Sequence, residues 1–152
     1  MSTRSFSQDV LINILTQNSG MVSKSNTVFL EVTVCNTSST VTVAPYKLKP
    51  QLSIPSALVS IPDTGHVLPP GWAIIYNSNG AVWLSNGTDN IPPNGCRTIL
   101  IAMKGKEAGG PSTITGNMTF SNGKDPGSAP GPATAGDNPA DNNSATTIKV
   151  FK

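Results

Sequence analysis

Gly136-Asp137-Asn138-Pro139-Ala140-Asp141-Asn142-Asn143-Ser144-Ala145-Thr146-Thr147-Ile148-Lys149-Val150-Phe151 sets an Asp/Asn-rich turn directly ahead of an alternating segment. Short oxygen-bearing side chains bond their own backbone and tolerate left-handed conformations, which makes the first half a turn. In the second half Thr146, Ile148 and Val150 fall on one side of a pleat, as a half-buried strand requires. A strand in that place closes a β-sandwich.

Outward from this ending the same alternation recurs. Residues 27–35 set Val28, Leu30, Val32 and Val34 against Phe29, Glu31, Thr33 and Cys35, and residues 96–103 set Ile99, Ile101 and Met103 against Thr98, Leu100 and Ala102. Both read as central strands. A first strand is expected over residues 9–15, with Val10, Ile12 and Ile14 on one face, and another over 112–121, carrying Ile114, Met118 and Phe120. Residues 73–76 and 81–84 are joined by Asn77-Ser78-Asn79-Gly80, and Asn-Gly supplies the two left-handed residues of a tight hairpin. Pro45, Pro50, Pro55 and Pro62 each remove a ladder donor, so residues 47–54 and 57–61 are expected to be short edge strands. Residues 123–135, biased to Gly, Pro and Ala, read as a loop. Nothing calls for a helix. The expected fold class is all-β, an Ig-like antiparallel β-sandwich of about seven to nine short strands.

Composition narrows the function classes. A chain of 152 residues supports one domain, residues 9–152, behind a flexible or strand-donating segment, residues 1–8. Only 12% of residues are charged, while 14 Gly and 13 Pro punctuate the chain, a turn-rich composition. A net charge of +2 is too small and too scattered to build a phosphate-binding face, so no nucleic acid is expected as partner. No run approaches the roughly 20 apolar residues of a spanning helix, so no membrane insertion is expected. A basic, apolar leader does not open the sequence, and the composition points to an exported chain whose signal peptide has been removed.

The order of elements carries a resemblance. A long strand ends in an Asn/Thr/Ser turn, Leu68-Pro69-Pro70-Gly71-Trp72 follows, Pro93-Asn94-Gly95 precedes an Ile-rich strand, and Ala140-Asp141-Asn142-Asn143-Ser144-Ala145-Thr146 leads into the last strand. Over roughly residues 9–151 this resembles the Ig-like repeat of bacterial surface proteins, domain-of-unknown-function family eleven. The resemblance implies a non-enzymatic extracellular or cell-surface module: a secreted adhesin, an envelope protein or a fibre. Its partners would be other copies of itself or neighbouring surface-protein domains. Such repeats stand in tandem, whereas this chain ends with its closing strand, which leaves a free-standing module or a filament subunit open.

In an Ig-like sheet the strands over 27–35 and 96–103 run antiparallel as neighbours, bringing Cys35 and Cys96 opposite each other on the side away from the core. A disulfide and two half-buried thiols are both open there. Asp137, Asn138, Asp141, Asn142 and Asn143 offer hard oxygen ligands of the kind calcium takes, although their spacing is not that of an EF-hand and a turn bonding its own backbone is the simpler reading. Calcium is therefore the one cofactor considered. Trp72, Trp83, Tyr46 and Tyr76 are candidates for stacking against sugar rings, but with 5% aromatics most are needed in the core, and Trp72 reads as a plug at the end of the sandwich. The glycosylation triplet occurs at Asn36, Asn86, Asn117 and Asn142, in keeping with an exposed extracellular surface. The single histidine, His66, lies in a Pro/Gly-rich loop without a nucleophile and orienting partner evident in sequence, so it reads as a solvated loop residue and no enzyme is expected. A carbohydrate-binding module and a virion or phage decoration protein are the alternatives.

Overall fold

The computed structural model describes residues 9–121 and 142–152. Its strands are β1 (Val10–Thr16), β2 (Met21–Ser23), β3 (Thr27–Asn36), β4 (Leu48–Ser53), β5 (Val59–Ser60), β6 (Ala73–Ser78), β7 (Ala81–Ser85), β8 (Cys96–Gly105), β9 (Gly109–Phe120) and β10 (Asn143–Phe151). They form a four-stranded sheet, ordered β1-β3-β8-β5, and a six-stranded sheet, ordered β2-β10-β9-β4-β7-β6. All pairings are antiparallel except β2 with β10, which is parallel.

The alternating side chains meet between the sheets. Val10, Leu30, Val32, Val34, Ile99, Ile101 and Met103 from the first sheet are fully buried, as are Leu48, Val82, Leu84, Ile114 and Ile148 from the second. Gly116 faces this core from β9, and a Cβ there would stand 3.1 Å from Cγ2 of Ile14 and 3.4 Å from Leu52, so the bare backbone lets β1 pack close. Each such aliphatic side chain contributes about 1.5–3 kcal/mol by leaving water.

The hairpin between β6 and β7 turns at Asn79 and Gly80, with φ of 50° and 85°, as the Asn-Gly pair leads one to expect. The proline-bearing segment departs from expectation. Strand β4 lies inside the six-stranded sheet, between β9 and β7, rather than at an edge. Met118 gives its N–H to Asn142 on the β10 side, so in the antiparallel Pro50–Met118 pair the proline nitrogen faces the β7 side. There β7 pairs only with Gln51–Ser53 and asks no donor of Pro50. The next inward donor, Leu48 N–H, goes 2.9 Å to the Asn86 side chain instead. By contrast β5 is an edge strand, as expected, and β2 was not foreseen because three residues carry too little pattern.

Candidate functional site

Among the described residues, two outer faces and four sheet borders offer surfaces for contact. On the four-stranded sheet the outward row runs Leu15, Glu31, Leu100 and Val67, paired in that order across β1, β3, β8 and the segment beyond β5. Leu15 is 55% exposed and Val67 52%, with Phe29 half-buried beside them, so the face is apolar around one carboxylate. Gln17 donates to that carboxylate, Glu31, at 3.3 Å.

Further along this face Cys35 and Cys96 are paired in register and joined by a disulfide. Asn36 N–H bonds Gly95 O at 2.8 Å, which makes the neighbouring Cys35–Cys96 pair the non-hydrogen-bonded kind, whose Cα atoms approach most closely, here 4.1 Å. The bridge ties β3 to β8 within one sheet and stands on its outer side.

The outer face of the six-stranded sheet is different in kind. Tyr76 pairs with Trp83, Trp83 with Gln51, Gln51 with Asn117, and Asn117 with Asn143, all at one register across β6, β7, β4, β9 and β10. The rings of Tyr76 and Trp83 lie 4.5 Å apart and are tilted by 31°, and the Lys49 ammonium sits 5.7 Å from the centre of the indole. They form a ridge rather than a coplanar tray. Ser53, Thr115 and Ala145 make the adjoining row.

The other two aromatic candidates stand elsewhere. Trp72 is buried, and its indole N–H donates 2.8 Å to Asp89, which also accepts from Arg97 Nε at 2.8 Å. It plugs the end of the sandwich. Tyr46 lies beyond the Leu48 end of β4, with its N–H bound to Gly87 O at 2.7 Å and its carbonyl accepting the Ser121 hydroxyl. Only Tyr76 and Trp83 are brought together.

Of the calcium candidates, Asp137, Asn138 and Asp141 lie outside the described residues. Asn142 presents its carbonyl to Met118, while Asn143 opens β10 with an exposed side chain. Among the described residues no group of three His, Cys, Asp or Glu gathers at metal-binding distance.

Two of the glycosylation triplets have a different use. Asn36 and Asn86 are fully buried, so no glycan can reach them. Asn36 Nδ2 donates to the carbonyls of Val41, at 2.8 Å, and Ile91, at 3.0 Å, and its Oδ1 accepts Ser38 N–H. Asn86 accepts Leu48 N–H and donates to the carbonyls of Ala44 and Asp89, both at 2.9 Å. Each asparagine ties a strand end to the backbone of the loops beside it. Asn117 is exposed on β9.

His66 likewise is not a solvated loop residue. Its Nδ1 accepts Ala102 N–H at 3.0 Å while Nε2 lies 2.7 Å from the Pro62 carbonyl, a pattern that assigns the proton to Nε2. The imidazole thus stands in for a strand along the border of β8, between β5 and the Val67–Leu100 bridge. At the opposite border the outward N–H groups of Ile14 and Thr16 on β1 are taken by the hydroxyls of Ser144 and Thr146, at 3.0 and 3.3 Å. Strand β10 pairs with β9 from Asn143 to Val150 and with β2 over Lys149, Val150 and Phe151, all within its own sheet. The six-stranded sheet ends at β6, where a bulge at Ile75 interrupts the border and two hollows of about 260 Å³ share Asp63 and Asn77.

No family model matches the sequence, that of the Ig-like surface repeat included, and no curated protein resembles it. Solved structures do resemble it in fold. The major pilin subunit BcpA of Bacillus cereus superposes with a TM-score of 0.58 at 8% identity, over 93% of this chain and 40% of the pilin. A cohesin module from a Clostridium perfringens family 33 glycoside hydrolase gives 0.56 at 8% identity, over 93% of this chain and 98% of the module. A Nocardia farcinica protein described as having an immunoglobulin-like fold gives 0.51 at 12% identity, over 90% and 98% of the two chains. At such identities the likeness is one of fold, and the fold is an Ig-like β-sandwich.

Proposed function

We propose that this chain is a non-enzymatic structural or adhesive module of a bacterial cell surface, working outside the cell by contact with other copies of itself or with neighbouring surface domains. The observation that carries the reading is the outer face of the four-stranded sheet. Leu15 and Val67, each more than half exposed, flank the half-buried Phe29 and Leu100, an apolar surface left in contact with water. The disulfide between Cys35 and Cys96 supports an oxidising compartment. The pilin and cohesin likenesses support a sandwich whose surfaces, rather than a cleft, do the work.

The finer form of this reading is a self-assembling fibre. Residues 1–8 of one copy would add a strand to the β6 border of the next, a head-to-tail contact that propagates if its symmetry does not close. Sedimentation velocity across a concentration series, with negative-stain microscopy, tests it. Long regular fibres or concentration-dependent association are expected. Leu15→Glu with Val67→Glu should abolish association if the apolar face drives it, and deletion of residues 1–8 should abolish it if strand donation does. Dispersed monomers at every concentration would refute self-assembly.

A further inference from the structure

We propose that the outer face of the six-stranded sheet binds a neutral polysaccharide laid across the strands along Tyr76, Trp83, Gln51, Asn117 and Asn143. This site lies on the opposite face from the apolar surface proposed above, and it shares β6, through Tyr76, with the border proposed for strand addition.

The placement is set by register. Five consecutive strands each put one outward side chain into a single row, and with strands about 4.8 Å apart the row is about 19 Å long. That length suits a chain molecule rather than a single sugar. At one end the stacked Tyr76 and Trp83 rings form the ridge, with Tyr76 43% exposed. Next come three primary amides in succession. Each offers two donors and an acceptor, the complement that the paired hydroxyls of a sugar ring require. The hydroxyls of Ser53 and Thr115 lie one row away and extend the same chemistry.

Charge selects the ligand. No described strand of this sheet carries a carboxylate: Glu31 faces out of the other sheet, Asp9, Asp89 and Glu107 lie outside the strands, and Asp63 shares a hollow with Tyr76 at the β6 end of the row. Among the described residues the cation beside the row is Lys49, which is 7% exposed and lies over the indole. A row with a single carboxylate at its β6 end, whose nearest described ammonium is already engaged, presents no run of like charge to attract a polyanion or a polycation. It matches an uncharged, hydroxyl-rich polymer, held by amide hydrogen bonds and by an aromatic ridge against the apolar edge of a ring.

Affinity electrophoresis of the whole chain in gels containing soluble xylan, mannan or mixed-linkage β-glucan tests the proposal, with polygalacturonate and double-stranded DNA as charged comparators. Retardation is expected in at least one neutral polysaccharide and little changed by added salt. Tryptophan emission should shift on titration through Trp83, because Trp72 is buried. Gln51→Ala with Asn117→Ala should weaken binding at least tenfold, and Trp83→Ala comparably. The amide pair is at the surface, so a thermal melt like that of the parent will show that the double variant is folded. Unchanged migration in every neutral polysaccharide, retardation by the charged polymers alone, or undiminished binding by the double amide variant would each overturn it.

Discussion

The two sheets bury the same kind of side chain and expose different mixtures. Inward, both present Val, Ile and Leu at alternate positions. Outward, the four-stranded sheet shows Leu15, Val67, Phe29 and a disulfide around Glu31, beside the polar row Asn13, Thr33 and Thr98. The six-stranded sheet shows amides, hydroxyls and two stacked rings with no carboxylate among its described residues, and exposes Met21 and Phe151 at its β2–β10 end. One sandwich thus carries an apolar patch on one sheet and an amide row on the other, back to back. A common core leaves the two outer faces free to differ, since substitutions at outward positions of a strand leave the inward set in place.

The sheets are also fastened differently, and this gives the largest test. A covalent tie spans 61 residues of sequence on the first sheet, and by loop entropy it stabilises the fold by about 4 kcal/mol. Urea unfolding with and without reductant should show a loss of that size. The paired replacement Cys35→Ser with Cys96→Ser should reproduce it without reductant. Equal midpoints in both conditions would mean that the first sheet holds as the second does, by hydrogen bonds and packing alone.

The six-stranded sheet relies on Asn86 at the corresponding place. Asn86→Ala removes the acceptor for the buried Leu48 N–H and the donor for two part-buried carbonyls, a loss of about 3 kcal/mol. Asn117→Ala, on the exposed face of the same sheet, should change stability by no more than about 0.5 kcal/mol. Thermal melts of the two variants side by side check the contrast. Similar losses at both positions would mean that the polar face contributes to folding rather than being free to bind.

Much of the frame was legible in the sequence because period-two alternation survives wherever one strand face is buried. Val28 to Val34, Ile99 to Met103 and Ile148 to Val150 all face inward as their pattern requires, and Asn79-Gly80 turns the hairpin. What stayed hidden depends on partners distant in the chain. Pro50 reads as an edge residue until β7 is seen to stop short of it. His66 reads as a loop residue because the amide that it caps lies 36 positions away. Asn36 and Asn86 look like glycan acceptors, since a triplet records neither burial nor the carbonyls that an amide must satisfy. Among the outer-face residues, Trp83 and Tyr76 could be named from sequence but not paired. The amide row needs register across four pairings, and no local pattern supplies that.

The borders separate the sheets more finely. At β1 the backbone donors of Ile14 and Thr16 are held by side chains of the other sheet, Ser144 and Thr146. Ser144→Ala with Thr146→Val keeps shape and removes both acceptors, and a loss of about 2 kcal/mol is expected, with faster hydrogen exchange at Ile14 and Thr16. The pair lies where the two layers meet, so an unchanged exchange rate would show that packing alone holds them edge to edge.

The smallest expected effect lies at the opposite border of the four-stranded sheet. His66 reaches Ala102 from a loop and anchors itself on the Pro62 carbonyl, so one imidazole does what a paired strand does elsewhere. In His66→Leu the ring's bulk is kept roughly but the acceptor is gone, leaving Ala102 N–H to find water at a half-open border. The expected cost is about 1 kcal/mol, concentrated as faster exchange at Ala102, with Leu100 unaffected because Val67 still pairs with it. If Leu100 and Ala102 both accelerate, the histidine anchors the whole segment from Pro62 to Val67, and the apolar face that Val67 completes depends on it. If neither changes, the border of the first sheet is closed by β5 and Val67 alone, and it differs from the β1 border only in which element covers it.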